Sequence, residues 1–360
     1  MSIQKSDSRA ISADLIRVVA IAAVLVLHAG VYGANMIPFY EGVDVWRGGI
    51  VNVYMCFGYL GVPLFLMLSG ALLLVPSKKD EELGVFFKKR FSRVGLPFLF
   101  WGAIYFLWDI YIENQLVTQE FIVKSILLGP YITFWYLYLL AGLYLITPML
   151  RVMVAHFTDK HFKYFIGLWF AGTMLTTWIK FLSGSQYAID SNLFVIPLCV
   201  GYFVMGAYLV KVQIHRRILA ALTVLGLSLT AITSYLVSTY SGKEVLFFQE
   251  YASPTIMLTS ISLFLLLNSY AKSKSNAFQI EKLSWKQRII QVISENSLPI
   301  YLLHMIPLSL IKNGFFSFAV NGNTVDPIIG VPILAGLTLI LSLMIIIPLK
   351  KIPILKKFIG

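Results

Sequence analysis

The stretch RVVAIAAVLVLH, Arg17 to His28, sets ten apolar residues between an arginine and a histidine. A run of this kind forms the middle of a membrane-spanning helix, and its two end residues are the types such a helix accommodates least readily. At 100° per residue, the steps from Arg17 to His28 turn about 1100°, roughly 20° past three full turns. Both side chains therefore share one helix face, about 16 Å apart along the axis. Asp14 precedes Arg17 by three residues on that face and is close enough to pair with it. A surface bearing such a row faces a polar interior and not lipid.

The rest of the chain agrees with a membrane setting. Of its 360 residues 58% are hydrophobic and 13% charged, with a mean hydropathy of +0.79. Soluble domains are nearer half apolar and a quarter charged. Apolar runs predict about ten transmembrane helices, at 11–32, 49–75, 94–112, 134–153, 163–181, 193–210, 218–238, 254–270, 289–311 and 327–348. No alternating ten-residue segments argue for an outer-membrane barrel. The expectation is an all-α polytopic protein forming a single membrane domain over 1–360, with no repeat and no loop long enough for a soluble domain.

Charge placement orients it. Roughly 23 of the 29 basic residues fall in loops and ends on one side of the predicted helices. They include Lys88, Lys89, Arg90, Arg93, Arg151, Arg216, Arg217, Lys350 and Lys351. The positive-inside rule then puts both termini in the cytoplasm and accounts for the net charge of +12 without nucleic acid. Small residues (Ala29, Gly30, Gly33) follow the first apolar run as they would before a signal cleavage site, but Asp14 and Arg17 interrupt that pattern. Cys56 and Cys199 sit in apolar runs without metal-ligand spacing and read as small buried hydrophobes.

His156, His161 and His215 fall in loops and read as solvated, whereas His28 and His304 lie within spans. In SENSLPIYLLH the residues Ser297, Tyr301 and His304 are spaced four and three apart and form one stripe, with Glu295 on the opposite face. This helix also enters from the cytoplasm, so His304 comes to a depth like that of His28. In KKRFSRVGLP, Arg90 and Arg93 stand one turn apart at the cytoplasmic mouth of the third span, as phosphate recognition favours. No GxxxxGK[ST], HExxH or GxSxG pattern and no paired-cysteine zinc pattern occurs, and no metal is expected.

Five segments in order resemble the acyltransferase-3 family of bacterial integral-membrane O-acyltransferases: DLIRVVAIAAVLVLH, VPLFLMLSGALLL with Ser69, RFSRVGLPFLFW, FWYLYLLAGLYLITPML with Trp135, and SENSLPIYLLHM. Where many members carry a histidine before Leu-Trp-Phe, this chain has Thr133. The extra soluble esterase-like domain of larger members is not expected here. The resemblance implies a multi-pass protein of the bacterial cytoplasmic membrane. It also implies transfer of an acetyl or similar group from acetyl-CoA, or another acyl-CoA, to a hydroxyl of a cell-surface carbohydrate or lipid-linked sugar. Arg90, Arg93 and Arg17 then sit where the coenzyme's phosphates arrive, with His28, Arg17 and His304 as the catalytic candidates and Asp14, Ser69, Trp135, Ser297 and Tyr301 in support. His28 would take or relay the hydroxyl proton, and His304 would orient the acceptor or polarise the thioester. Direct transfer and an acyl-histidine intermediate both remain open, and the same features fit an exporter of glycan precursors or, with the intramembrane residues idle, a sensor or scaffold.

Overall fold

The computed structural model describes residues 2–33, 45–75, 80–127, 129–182, 197–242, 245–275, 284–322 and 324–360, which are 81% helical, with no strand among them. In chain order the helices begin with α1 (Ser2–His28), α2 (Val45–Gly58), α3 (Gly61–Leu73), α4 (Leu83–Arg90), α5 (Leu96–Tyr111) and α6 (Gln119–Leu127). They continue with α7 (Trp135–Ala155), α8 (Asp159–Leu182), α9 (Leu198–Leu209), α10 (Arg216–Ser241) and α11 (Pro254–Ser275). Then come α12 (Trp285–Glu295), α13 (Ser297–Leu303), α14 (Met305–Lys312), α15 (Pro327–Lys350) and α16 (Lys356–Ile359). Six segments are long and apolar enough to cross a membrane: Ser12–Gly33, Val45–Leu73, Leu83–Tyr111, Gln119–Ala155, Arg216–Ser241 and Pro327–Lys350. Leu198–Leu209 and Pro254–Tyr270 are shorter apolar helices. Residues 193–196 of the sixth expected span lie outside the described residues.

α1 is the central post, packed against α2, α3, α11, α12, α13 and α15. Its buried residues (Ile16, Ala20, Ile21, Val24, Leu25) face several directions, as a helix surrounded by others requires. Small residues let backbones meet where lipid offers no hydrophobic drive to associate. A Cβ on Gly61 of α3 would come within 2.8 Å of the Ala20 carbonyl oxygen of α1. On the other side of α3, a Cβ on Gly70 would lie 1.7 Å from the Phe203 oxygen, and one on Gly206 of α9 would lie 1.8 Å from the Met67 oxygen. α3 is thereby held against α1 and α9 with no side chain between.

Two expected spans are interrupted, each near a proline. The 49–75 span breaks at Tyr59–Leu60, where Pro63 offers no N–H to the Tyr59 carbonyl. The 289–311 span is three helices. α12 starts with a capping box, Ser284 N–H donating to Gln287 Oε1 at 2.8 Å, and ends before Asn296. The chain then continues as α13 and α14 with a turn at His304. Pro307 lacks the N–H that would bond the Leu303 carbonyl, and the Tyr105 hydroxyl donates to it instead at 3.3 Å. The freed Tyr301 carbonyl lies 2.6 Å from His304 Nδ1. The helix break is what places the imidazole.

Candidate active site

The polar face read from α1 is present. Arg17 Nη1 pairs with Asp14 Oδ1 at 3.1 Å. Ser294, the penultimate residue of α12 and 3% exposed, closes the group by donating to Asp14 Oδ1 at 2.6 Å and accepting from Arg17 Nη1 at 3.4 Å. The carboxylate and the hydroxyl together fix the guanidinium from two helices.

Arg17 then lines a cavity of about 360 Å³ with Arg90, Arg93, Ser69, Ser297 and Tyr301. Six residues singled out in four separate stretches of sequence thus meet around one space. Arg93 lies in a π-helical turn, Phe91–Gly95, between α4 and α5, and a second such turn, Ala29–Gly33, directly follows His28. Wide turns of this kind recur at functional sites. The Tyr136 and Tyr144 rings of α7 complete the wall. Trp135 stands apart: it is 40% exposed, packs against Tyr251 and Tyr136, and does not line the cavity.

His28 and His304 come together. His304 Nε2 and His28 Nδ1 are 2.9 Å apart, with ring centroids at 4.9 Å. The Tyr301 carbonyl can only accept, so Nδ1 of His304 carries the proton and, in the neutral ring, Nε2 is an acceptor. His28 Nδ1–H donates to it, which leaves a lone pair on His28 Nε2. His304 is fully buried and His28 is partly accessible. Neither histidine lines the three-arginine cavity; Tyr301, whose ring does, bears His304 on its carbonyl. The Tyr301 hydroxyl in turn donates to the Thr133 carbonyl at 2.7 Å. The backbone of Thr133 therefore holds Tyr301.

Arg151 is a residue the sequence reading grouped with loop charges. It is inside α7, 2% exposed, and its Nε donates to the Leu73 carbonyl at the end of α3 (2.7 Å) while Nη1 pairs with Glu81 (2.8 Å). Its guanidinium lies 4.6 Å from the centre of the buried Phe86 ring, which also carries Arg90 at 5.4 Å. Arg151 supports the cavity mouth from behind. Hydrogen bonds from Lys89 and then Arg151 hold the Glu81 carboxyl down at about 2. Among the described residues no group of three or more His, Cys, Asp or Glu is arranged to hold a metal ion.

A family model described as an acyltransferase domain, that of the acyltransferase-3 family, matches residues 11–347. The chain belongs to the acyltransferase-3 family. The match covers almost the whole protein, from α1 into α15. No curated protein and no solved structure matches the chain significantly. With its apolar helices, this acyltransferase-3 chain is a multi-pass membrane acyltransferase. The family match runs through both histidines, the three cavity arginines and Arg151.

Proposed function

We propose that the protein moves an acetyl or similar acyl group from cytoplasmic acyl-CoA to a hydroxyl of a cell-surface carbohydrate or lipid-linked sugar. Both termini and the three-arginine cavity face the cytoplasm of a bacterial inner membrane in this reading. The observation that carries it is the hydrogen-bonded series from the Tyr301 carbonyl through His304 to His28, joined by Tyr301 to a cavity with three guanidiniums.

The donor set fits a polyphosphate. Arg17, Arg90 and Arg93 present guanidiniums to one space, and Arg90 Nε is a buried donor without an acceptor among the described residues. Guanidinium forks suit phosphate oxygens better than ammonium groups do. Bound acyl-CoA supplies the thioester to be attacked.

The protein's own groups do the proton work. His28 Nε2 takes the proton of the acceptor hydroxyl as that oxygen bonds to the thioester carbonyl carbon. The carbon–sulfur bond breaks, and the imidazolium returns the proton to the leaving thiolate. Meanwhile His304 Nε2 accepts from His28 Nδ1–H, orients the ring and stabilises its charge. Here His304 is a positioning residue, and Arg17 steadies the donor from its seat against Asp14 and Ser294.

Purified wild-type and His28→Ala proteins, given radiolabelled acetyl-CoA and membranes carrying glycan acceptors, test this. Label should enter glycan with wild type and fall by about 10²-fold or more without the base. Full transfer by His28→Ala refutes the role of His28. Wild-type protein that moves glycan precursors without consuming acetyl-CoA is an exporter.

A further inference from the structure

A second cavity, of about 610 Å³, lies on the other side of the histidine pair. Two helices show the order. Along α1 and the π-helical turn that follows it, the series is Arg17 on the first cavity, His28, then Tyr32 on the second, its ring 6.1 Å from that of His28. From α13 into α14 it is Ser297 and Tyr301 on the first cavity, His304, then Met305 and Ser309 on the second. The imidazoles stand between the two spaces.

The second cavity contains a polar group the proposed acyl transfer does not use. Asp109, near the end of α5, is 9% exposed and lines this space. Its carboxylate has no hydrogen-bond or ion-pair partner among the described residues. Lys312, on the same cavity, forms no ion pair with it. A carboxylate in a membrane helix is costly, and one kept only for packing would be paired. Glu113 is on the same wall and already takes the Trp108 indole N–H at 3.2 Å. Tyr131 adds a ring, packed 5.0 Å from that of Tyr105.

We infer that this cavity is the acceptor subsite, and that Asp109 there grips hydroxyls of an uncharged sugar ring and excludes an anionic one. The inference rests on the reading of the protein as a sugar O-acyltransferase and adds the chemistry of the sugar. Carboxylates only accept hydrogen bonds, so the ligand must offer O–H donors where Asp109 stands. Two carboxylates on one wall repel a uronate or phosphate held against them. The tyrosine rings offer apolar faces to the C–H side of a pyranose, and the volume is in the range of small-ligand sites.

The test is binding, not turnover. The purified full-length protein in nanodiscs is dialysed against radiolabelled methyl β-glucopyranoside or methyl β-glucopyranosiduronate, with coenzyme A binding measured separately. Wild type should hold the neutral glycoside at least tenfold more tightly than the uronate. Asp109→Asn, which keeps shape and loses charge, should weaken the neutral glycoside about tenfold and narrow the gap to the uronate. Glu113→Gln, at the more exposed of the two carboxylates, should narrow the gap as well, and it serves if Asp109→Asn does not fold. Failure of wild type to bind the neutral glycoside at millimolar concentration, or unchanged binding and selectivity in the folded variants, overturns the assignment. Failure of coenzyme A to bind, with glycoside binding intact, counts against the acyl-CoA reading and not against this subsite.

Discussion

Replacing Arg151 with methionine should destabilise the protein by about 2–4 kcal/mol and, in the proposed acyl-CoA-dependent reaction, weaken coenzyme A binding. The side chain makes two short charge-assisted bonds, to the Leu73 carbonyl at 2.7 Å and to Glu81 at 2.8 Å. Each such bond contributes about 1.5–3 kcal/mol. Breaking a buried ion pair from one side costs about 3–5 kcal/mol when the other charge is stranded. Glu81 is not fully stranded, because it is 18% exposed and keeps Lys89 at 2.9 Å. Among the described residues the Leu73 carbonyl has no such second partner at the end of α3, and methionine recovers part of the packing on Phe86. Those corrections bring the figure to about 2–4 kcal/mol. Losing the cation behind Phe86 also frees the ring that carries Arg90, so affinity for coenzyme A should fall several-fold. Denaturant unfolding of the purified protein, run as a double-mutant cycle with Glu81→Gln, reads the first effect, and equilibrium binding of coenzyme A reads the second. A loss below about 0.5 kcal/mol, or additive effects of the two substitutions, would refute the ion-pair reasoning.

Two further outcomes follow from the same geometry. Glu81 titrates near 2 in the folded protein against an ordinary 4.5, so its contribution is complete above pH 4.5 and is lost as pH falls towards 2; acid unfolding curves should show that window narrowed in Arg151→Met. Pro307→Ala restores an N–H to compete with Tyr105 for the Leu303 carbonyl, healing the turn at His304; transfer from radiolabelled acetyl-CoA should drop at least tenfold with coenzyme A binding kept, and an unchanged rate would show that the turn does not set the imidazole.

Helical periodicity made one side of the site legible. It put Asp14, Arg17 and His28 on one face, and Ser297, Tyr301 and His304 on one stripe, because residues sharing a face follow from spacing alone. Spacing does not say which helix that face meets. Ser294 therefore went unnoticed: it reaches Asp14 only because α12 ends and the chain turns at Asn296. Arg151 was misplaced for a different reason. It lies two residues from the end of the expected 134–153 span and was counted with the loop charges that follow, yet α7 runs on to Ala155 and buries it. Trp135 was chosen by its place in a motif, and helix geometry turns the next residue, Tyr136, to the cavity instead. Asp109 went unnoticed as well, because its isolation is a property of what surrounds it. Of the roughly ten expected spans, six segments among the described residues are long and apolar enough to cross a membrane, and two more are shorter apolar helices; the prolines that divide two of the expected spans were visible as residue types without their consequences being readable.

With the three-arginine cavity taken as the acyl-donor site, as proposed above, the glycine contacts of α3 bear on how donor choice can change. With Gly61 against the α1 backbone and Gly70 against that of α9, α3 has no side chain to trim or enlarge at either contact. The cavity wall carrying Ser69 and Leu72 is thus a fixed jaw. The opposing wall of α7, with Tyr136, Leu140 and Tyr144, meets the cavity through side chains. Exchange of a long acyl group for a short one is therefore open to evolution, and to the engineer, through substitutions on α7. The α3 face can hold its position while that happens, and the histidines behind it need not move.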